Sequence, residues 1–154
     1  MLGFAAAVLA LSMPGAPTSE SAGQPLIIRE ITGVWVRCYD PALNMGAHEL
    51  DGEYLMLQPD GRYFRQSDSA IDNPVSSRLA EFGRFTLTPS RIVLSPEGLL
   101  GWDGQPKAGA HPRPRTLSYR ASARVVLFND LHRALALPVI CPSETLNWCF
   151  AKVF

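Results

Sequence analysis

Two five-residue runs, Tyr54-Leu55-Met56-Leu57-Gln58 and Arg62-Tyr63-Phe64-Arg65-Gln66, flank the tripeptide Pro59-Asp60-Gly61. Proline presets φ in such a turn, aspartate bonds back to nearby amides, and glycine takes a positive φ, so the two runs must fold back on each other as a β-hairpin. Strand alternation then puts Leu55, Leu57, Tyr63 and Arg65 on one face, with Tyr54, Met56 and Phe64 on the other. A second hairpin follows from residue 82 to residue 95 across Pro89-Ser90, with Phe85 and Leu87 facing Ile92 and Leu94.

The rest of the chain follows the same grammar. Thirteen prolines and twelve glycines are spread between short apolar runs, which suits many strands joined by turns better than long helices. Residues 26–38 predict one or two strands with a break or bulge at Gly33, and residues 42–52 a polar loop. Further strands are predicted at 115–120 and 123–128, joined through Ala121-Ser122, then at 133–140 after a turn through residues 129–132, and at 146–154. The polar segment 67–81 and the turn-rich segment 96–114 predict long loops, the prolines of the second opposing any central strand there. Eight or nine strands in hairpin order, without an amphipathic helix, give an all-β fold: a single antiparallel up-and-down barrel of about eight strands.

A chain of 154 residues is long enough for one domain with a real core. Fourteen basic residues balance fourteen acidic ones, so there is no electrostatic footprint for nucleic acid or an anionic membrane. Residues 1–23 differ from the rest. Leu2 to Met13 is almost wholly apolar and runs into a zone of small and polar residues, the layout of a signal peptide. The apolar run is shorter than the roughly 20 residues that a spanning helix needs, and apolar all round where a packed surface helix would be amphipathic. The expectation is a barrel domain over 24–154, secreted or periplasmic, with no transmembrane segment in the mature chain. Cys38, Cys141 and Cys149 then give one disulfide and one leftover thiol, pairing either Cys38 with Cys149 across the first and last strands or Cys141 with Cys149 locally.

Gly33-Val34-Trp35 on the first strand resembles the GxW signature of the lipocalin and wider calycin group. The later pattern, Leu55-x-Leu57-Gln58-Pro59-Asp60-Gly61-Arg62-Tyr63, then Gly83-x-Phe85-x-Leu87 and Ile92-x-Leu94, is similar to small lipocalin-like domains of exported bacterial proteins. The resemblance implies that Trp35 plugs the closed end of the barrel and that an arginine from a late strand packs over it, Arg120, Arg124 and Arg133 being the candidates. It also implies a binding or accessory protein that holds a small apolar molecule.

Alternation turns Trp35, Leu57, Tyr63, Phe85, Tyr119 and Trp148 inward, where they either line a cavity for an apolar ligand or fill a small barrel. A protein partner meeting the 67–81 and 96–114 loops is the alternative occupant of such a scaffold, and Trp102 in the second loop is a rim contact or a lid. Catalytic signatures are missing. No Gly-x-Ser-x-Gly elbow surrounds Ser90, Ser95 or Ser118, and the carboxylate pairs Asp68 with Asp72 and Asp51 with Glu53 are expected to be solvated. His48, Glu49 and Asp51 lack metal-ligand spacing, and His111 and His132 stand alone, so neither a cofactor nor a metal is expected.

Overall fold

The computed structural model describes residues 26–43, 52–68, 79–101, 103–109, 112–142 and 145–154. Among them eight strands follow one another around a closed antiparallel barrel: β1 (Gly33–Tyr39), β2 (Gly52–Leu57), β3 (Arg62–Asp68), β4 (Leu79–Leu87), β5 (Arg91–Leu100), β6 (Arg115–Leu127), β7 (Asp130–Cys141) and β8 (Cys149–Lys152). Each strand pairs with its successor, and β8 closes the ring on β1 with Trp35 opposite Lys152 and Cys38 opposite Cys149. The all-β up-and-down barrel expected from the sequence is the observed architecture.

Both predicted hairpins form in the expected register. Leu57 lies opposite Tyr63 and Leu55 opposite Arg65 across the first, whose Gly61 has φ 81° and whose Asp60 carboxylate accepts a bond from the Arg62 amide at 3.1 Å. In the second, Phe85 lies opposite Leu94 and Leu87 opposite Ile92.

Several boundaries differ from the sequence expectation. Ile28–Ile31 is a single helical turn, α1, where a strand was expected. It forms because Ile31 has a place under the barrel: it is fully buried, and the Trp35 indole donates to its carbonyl at 2.8 Å, satisfying an oxygen that a helix end leaves bare. Strand β5 continues through Pro96 to Leu100. The ladder tolerates the proline because the register shifts between Phe82 and Gly83, a bulge that spares the missing donor. Residues 115–127 make one strand, a second irregularity between Arg120 and Ala123 absorbing the expected break, and β7 begins at Asp130 so that His132 lies on a strand. The loop expected over 67–81 is narrower, since Ser67 and Asp68 belong to β3 and Leu79 to Glu81 belong to β4.

Two apolar clusters hold the barrel. The interior one contains Ile31, Trp35, Leu55, Tyr63, Phe85 and Phe150 among others, sealed by α1 at the end that carries the Pro59-Asp60-Gly61 and Pro89-Ser90 turns. The second lies on the outward faces: Cys38, Val125, Leu127, Val139, Cys141, Cys149 and Ala151. It exists because β8 is only four residues long and leaves the end of β1 without a partner. Strand β6 fills that edge, with Leu127 opposite Cys38 and Val126 opposite Tyr39, so the β6–β7 hairpin folds over the outside of β1 and β8. Exposed edges invite unwanted pairing, and this one is covered by the chain itself. Buried on both faces, β1 shows five consecutive buried residues from Trp35 to Tyr39 where a half-exposed strand would alternate.

Candidate functional site

Of the residues expected inside, Trp35, Leu57, Tyr63 and Phe85 meet in the interior cluster, and Tyr119 packs against it half-buried. Trp148 lies just ahead of a strand and not on one. It closes a 3₁₀ turn, Leu146–Trp148, ahead of β8, and meets Phe150 edge-on with ring centroids 6.0 Å apart. A cation, Lys152, stands opposite Trp35 in the β1–β8 ladder, and its ammonium donates to the Glu30 carbonyl at 2.5 Å.

Beyond the apolar half, away from α1, the interior becomes ionic. Arg37 is two residues past Trp35, Glu53 two before Leu55, and Arg65 two past Tyr63, so alternation carries all three to the same inner face. The Arg37 Nη1 donates to Glu53 Oε2 at 2.9 Å, and Arg65 Nη2 donates to Glu53 Oε1. Both guanidiniums lie over the Trp148 ring, at 4.8 Å for Arg37 and 5.1 Å for Arg65, and Arg37 lies 5.2 Å from the Tyr39 ring as well. Cation–π contact of this kind returns part of what burying a cation costs.

A second ionic set adjoins the apolar core. Glu81, also buried, accepts from the Tyr63 hydroxyl at 2.8 Å and from Arg115 Nη2 at 3.1 Å. Burial first, and then the bond to Glu81, pushes the Tyr63 phenol well above its ordinary range, so it remains a proton donor to the carboxylate. Glu53 and Glu81, read from the sequence as members of solvated loops, are therefore inward strand residues at 5% and 4% exposure. The signal that could have found them is the alternation that placed Leu55 and Phe85 inside. Arg37 Nε and Arg65 Nε are buried without a hydrogen-bond partner among the described residues.

The three cysteines also converge. Cys141 and Cys149 form the disulfide, with Cα atoms 4.3 Å apart, while Cys38 is free and buried although it lies opposite Cys149. Burial, opposed weakly by Arg37, pushes the Cys38 thiol up to about 12, which keeps it an inert core residue. No group of three metal-ligating side chains occurs among the described residues, and His132 is exposed. His48, Glu49, Asp51, Asp72, Trp102 and His111 lie outside the described residues. No helix among the described residues is long and apolar enough to cross a membrane.

No protein-family model matches the chain, and neither a curated protein nor a solved structure matches it.

Proposed function

We propose that this protein is an exported lipocalin-like barrel acting as a binding or accessory protein, with a small, largely apolar molecule held in the barrel. The observation that carries the reading is the asymmetry of the interior. One end is sealed by Ile31 under Trp35, and the other presents the Arg37–Glu53–Arg65 set beneath a half-buried Trp148. A packed structural barrel has no need of buried charge at one end only, whereas a binding site combines apolar walls with a few placed polar groups. Export is supported by the apolar run from Leu2 to Met13 and by the disulfide, a bond that persists in oxidising compartments.

Displacement of a fluorescent fatty-acid-like probe tests the binding reading. Saturable binding is expected, weakened by Phe85→Ala; a probe that never saturates removes it. Mass spectrometry of the protein recovered from its native host tests export, with cleavage expected near residue 23.

A second reading, a fully packed barrel that docks another protein, is favoured by Tyr54 and Met56, which are 40% and 41% exposed on the outer face of β2. It predicts no probe binding, together with a change in association state when both residues are replaced by serine.

A further inference from the structure

Among the described residues, the ionic end of the barrel carries more cations than anions. Arg37 and Arg65 share one carboxylate, that of Glu53, and Arg115 shares Glu81 with a phenol that carries no charge. Among the described side chains, three guanidiniums therefore face two carboxylates. The side chains concerned are well removed from water: Arg37 is 8% exposed, Arg65 13% and Glu53 6%. A buried charge is costly unless it is paired, and an unpaired buried donor adds a further penalty. A structural ion pair would need one guanidinium on Glu53. The second adds desolvation without adding an anion.

Donor capacity points the same way. A guanidinium offers five N–H groups in a planar fork that matches a carboxylate or phosphate, and Glu53 occupies one terminal nitrogen of each arginine. The Nε groups of Arg37 and Arg65 are left without a partner among the described residues. Both guanidiniums also lie on the ring of Trp148, itself half-buried.

We infer that Arg37 and Arg65 form an oxyanion-recognition site, so that the ligand carries a single carboxylate or phosphate-type group that supplies the missing negative charge and takes the free Nε donors. Trp148 stacks on both guanidiniums of this site. The inference rests on the ligand-binding reading above and gives that ligand its polar end. The oxyanion belongs either to the head of an apolar molecule or to a free inorganic ion.

Calorimetric titration of the full folded chain with octanoate, octyl phosphate, octanol and inorganic phosphate tests both statements separately. The octyl anions are expected to bind saturably, and octanol about tenfold or more weakly, the worth of a charge-assisted bond. In Arg65→Gln the preference for the anion should vanish while the circular dichroism spectrum keeps its strand signature. Octanol binding as tightly as octanoate would overturn the oxyanion site and leave the apolar-ligand reading standing. Failure of every compound to bind would overturn both. Inorganic phosphate binding as tightly as octyl phosphate would support the oxyanion site and remove the apolar chain from the ligand. If Arg65→Gln does not fold, the comparison of octanoate with octanol on the unaltered protein still decides the question.

Discussion

Glu53 holds two guanidiniums at once, and the cost of losing its charge is set by what those cations would be left facing. Glu53→Gln leaves Arg37 and Arg65 buried side by side with no anion on them among the described residues, and removal of one partner from a buried pair costs about 3–5 kcal/mol. Urea titration should show that loss, while Asp60→Asn at the exposed Asp60–Arg62 pair, 2.6 Å apart, should leave the midpoint where it was. Cys38 makes a prediction about pH. Its thiol in the folded chain holds its proton up to about 12, against 9.0 for a solvated thiol. Above pH 9 the unfolded chain releases a proton that the folded chain retains, so stability must fall as pH rises through that window, by about 1.4 kcal/mol at pH 10. Cys38→Ala should abolish this component, and the check is the difference between wild type and variant at pH 8 and pH 10. Tyr63 acts in the same direction at still higher pH and cancels in that comparison.

At the scale of elements, what was legible in the sequence is what is local. Pro59-Asp60-Gly61 and Pro89-Ser90 carry their turn geometry in their own residues, and a period of two then fixes Leu57 against Tyr63 and Phe85 against Leu94. The bulge that lets Pro96 stay in β5 depends on a partner strand, and so does the place under Trp35 that turns Ile28–Ile31 into a helix. Neither can be read from the segment concerned. The ionic set was legible in principle, because Arg37 and Glu53 occupy inward positions. It was hidden by the rule that charged residues belong outside, which holds unless several are buried together. Gly33 is the position where an element depends most on having no side chain. Its φ is 133°, and a Cβ there would lie 1.9 Å from the Phe154 carbonyl oxygen, which accepts the Val34 amide at 2.9 Å. Gly33→Ala should therefore cost about 2 kcal/mol or more in denaturant titration, combining backbone strain with the loss of that clasp. A neutral result would show that the C-terminal residues do not close on β1 as described. Gly83 has a similar constraint at the bulge, where a Cβ would meet the Ser95 carbonyl at 2.2 Å.

For the molecule as a whole, the outer cluster has one covalent member. The Cys141–Cys149 bridge spans eight residues and ties β7 to β8, and a loop of that size is worth about 2–3 kcal/mol through the unfolded chain. The double variant Cys141→Ser, Cys149→Ser should lose that amount and stay folded, because the β1–β8 ladder remains; equilibrium unfolding followed by circular dichroism measures both. The choice between the two possible bridges was not legible in the sequence. Cys38 does lie opposite Cys149, as alternation suggested, yet Cys141 is the residue bonded to it.

The seam between β1 and β8 has a consequence in time. The Val34 amide bonds to the Phe154 carbonyl and the Val153 amide to the Val34 carbonyl, so the ring is fastened by residues from opposite ends of the described chain. A ribosome delivers the two halves of that fastening far apart, and pairings of such long range are slow to form. Hairpins β2–β3 and β4–β5 can zip as they emerge, but no barrel can shut before Phe154 has been released. Until then the seam that shuts the barrel around Arg37, Glu53 and Arg65 lacks its C-terminal half.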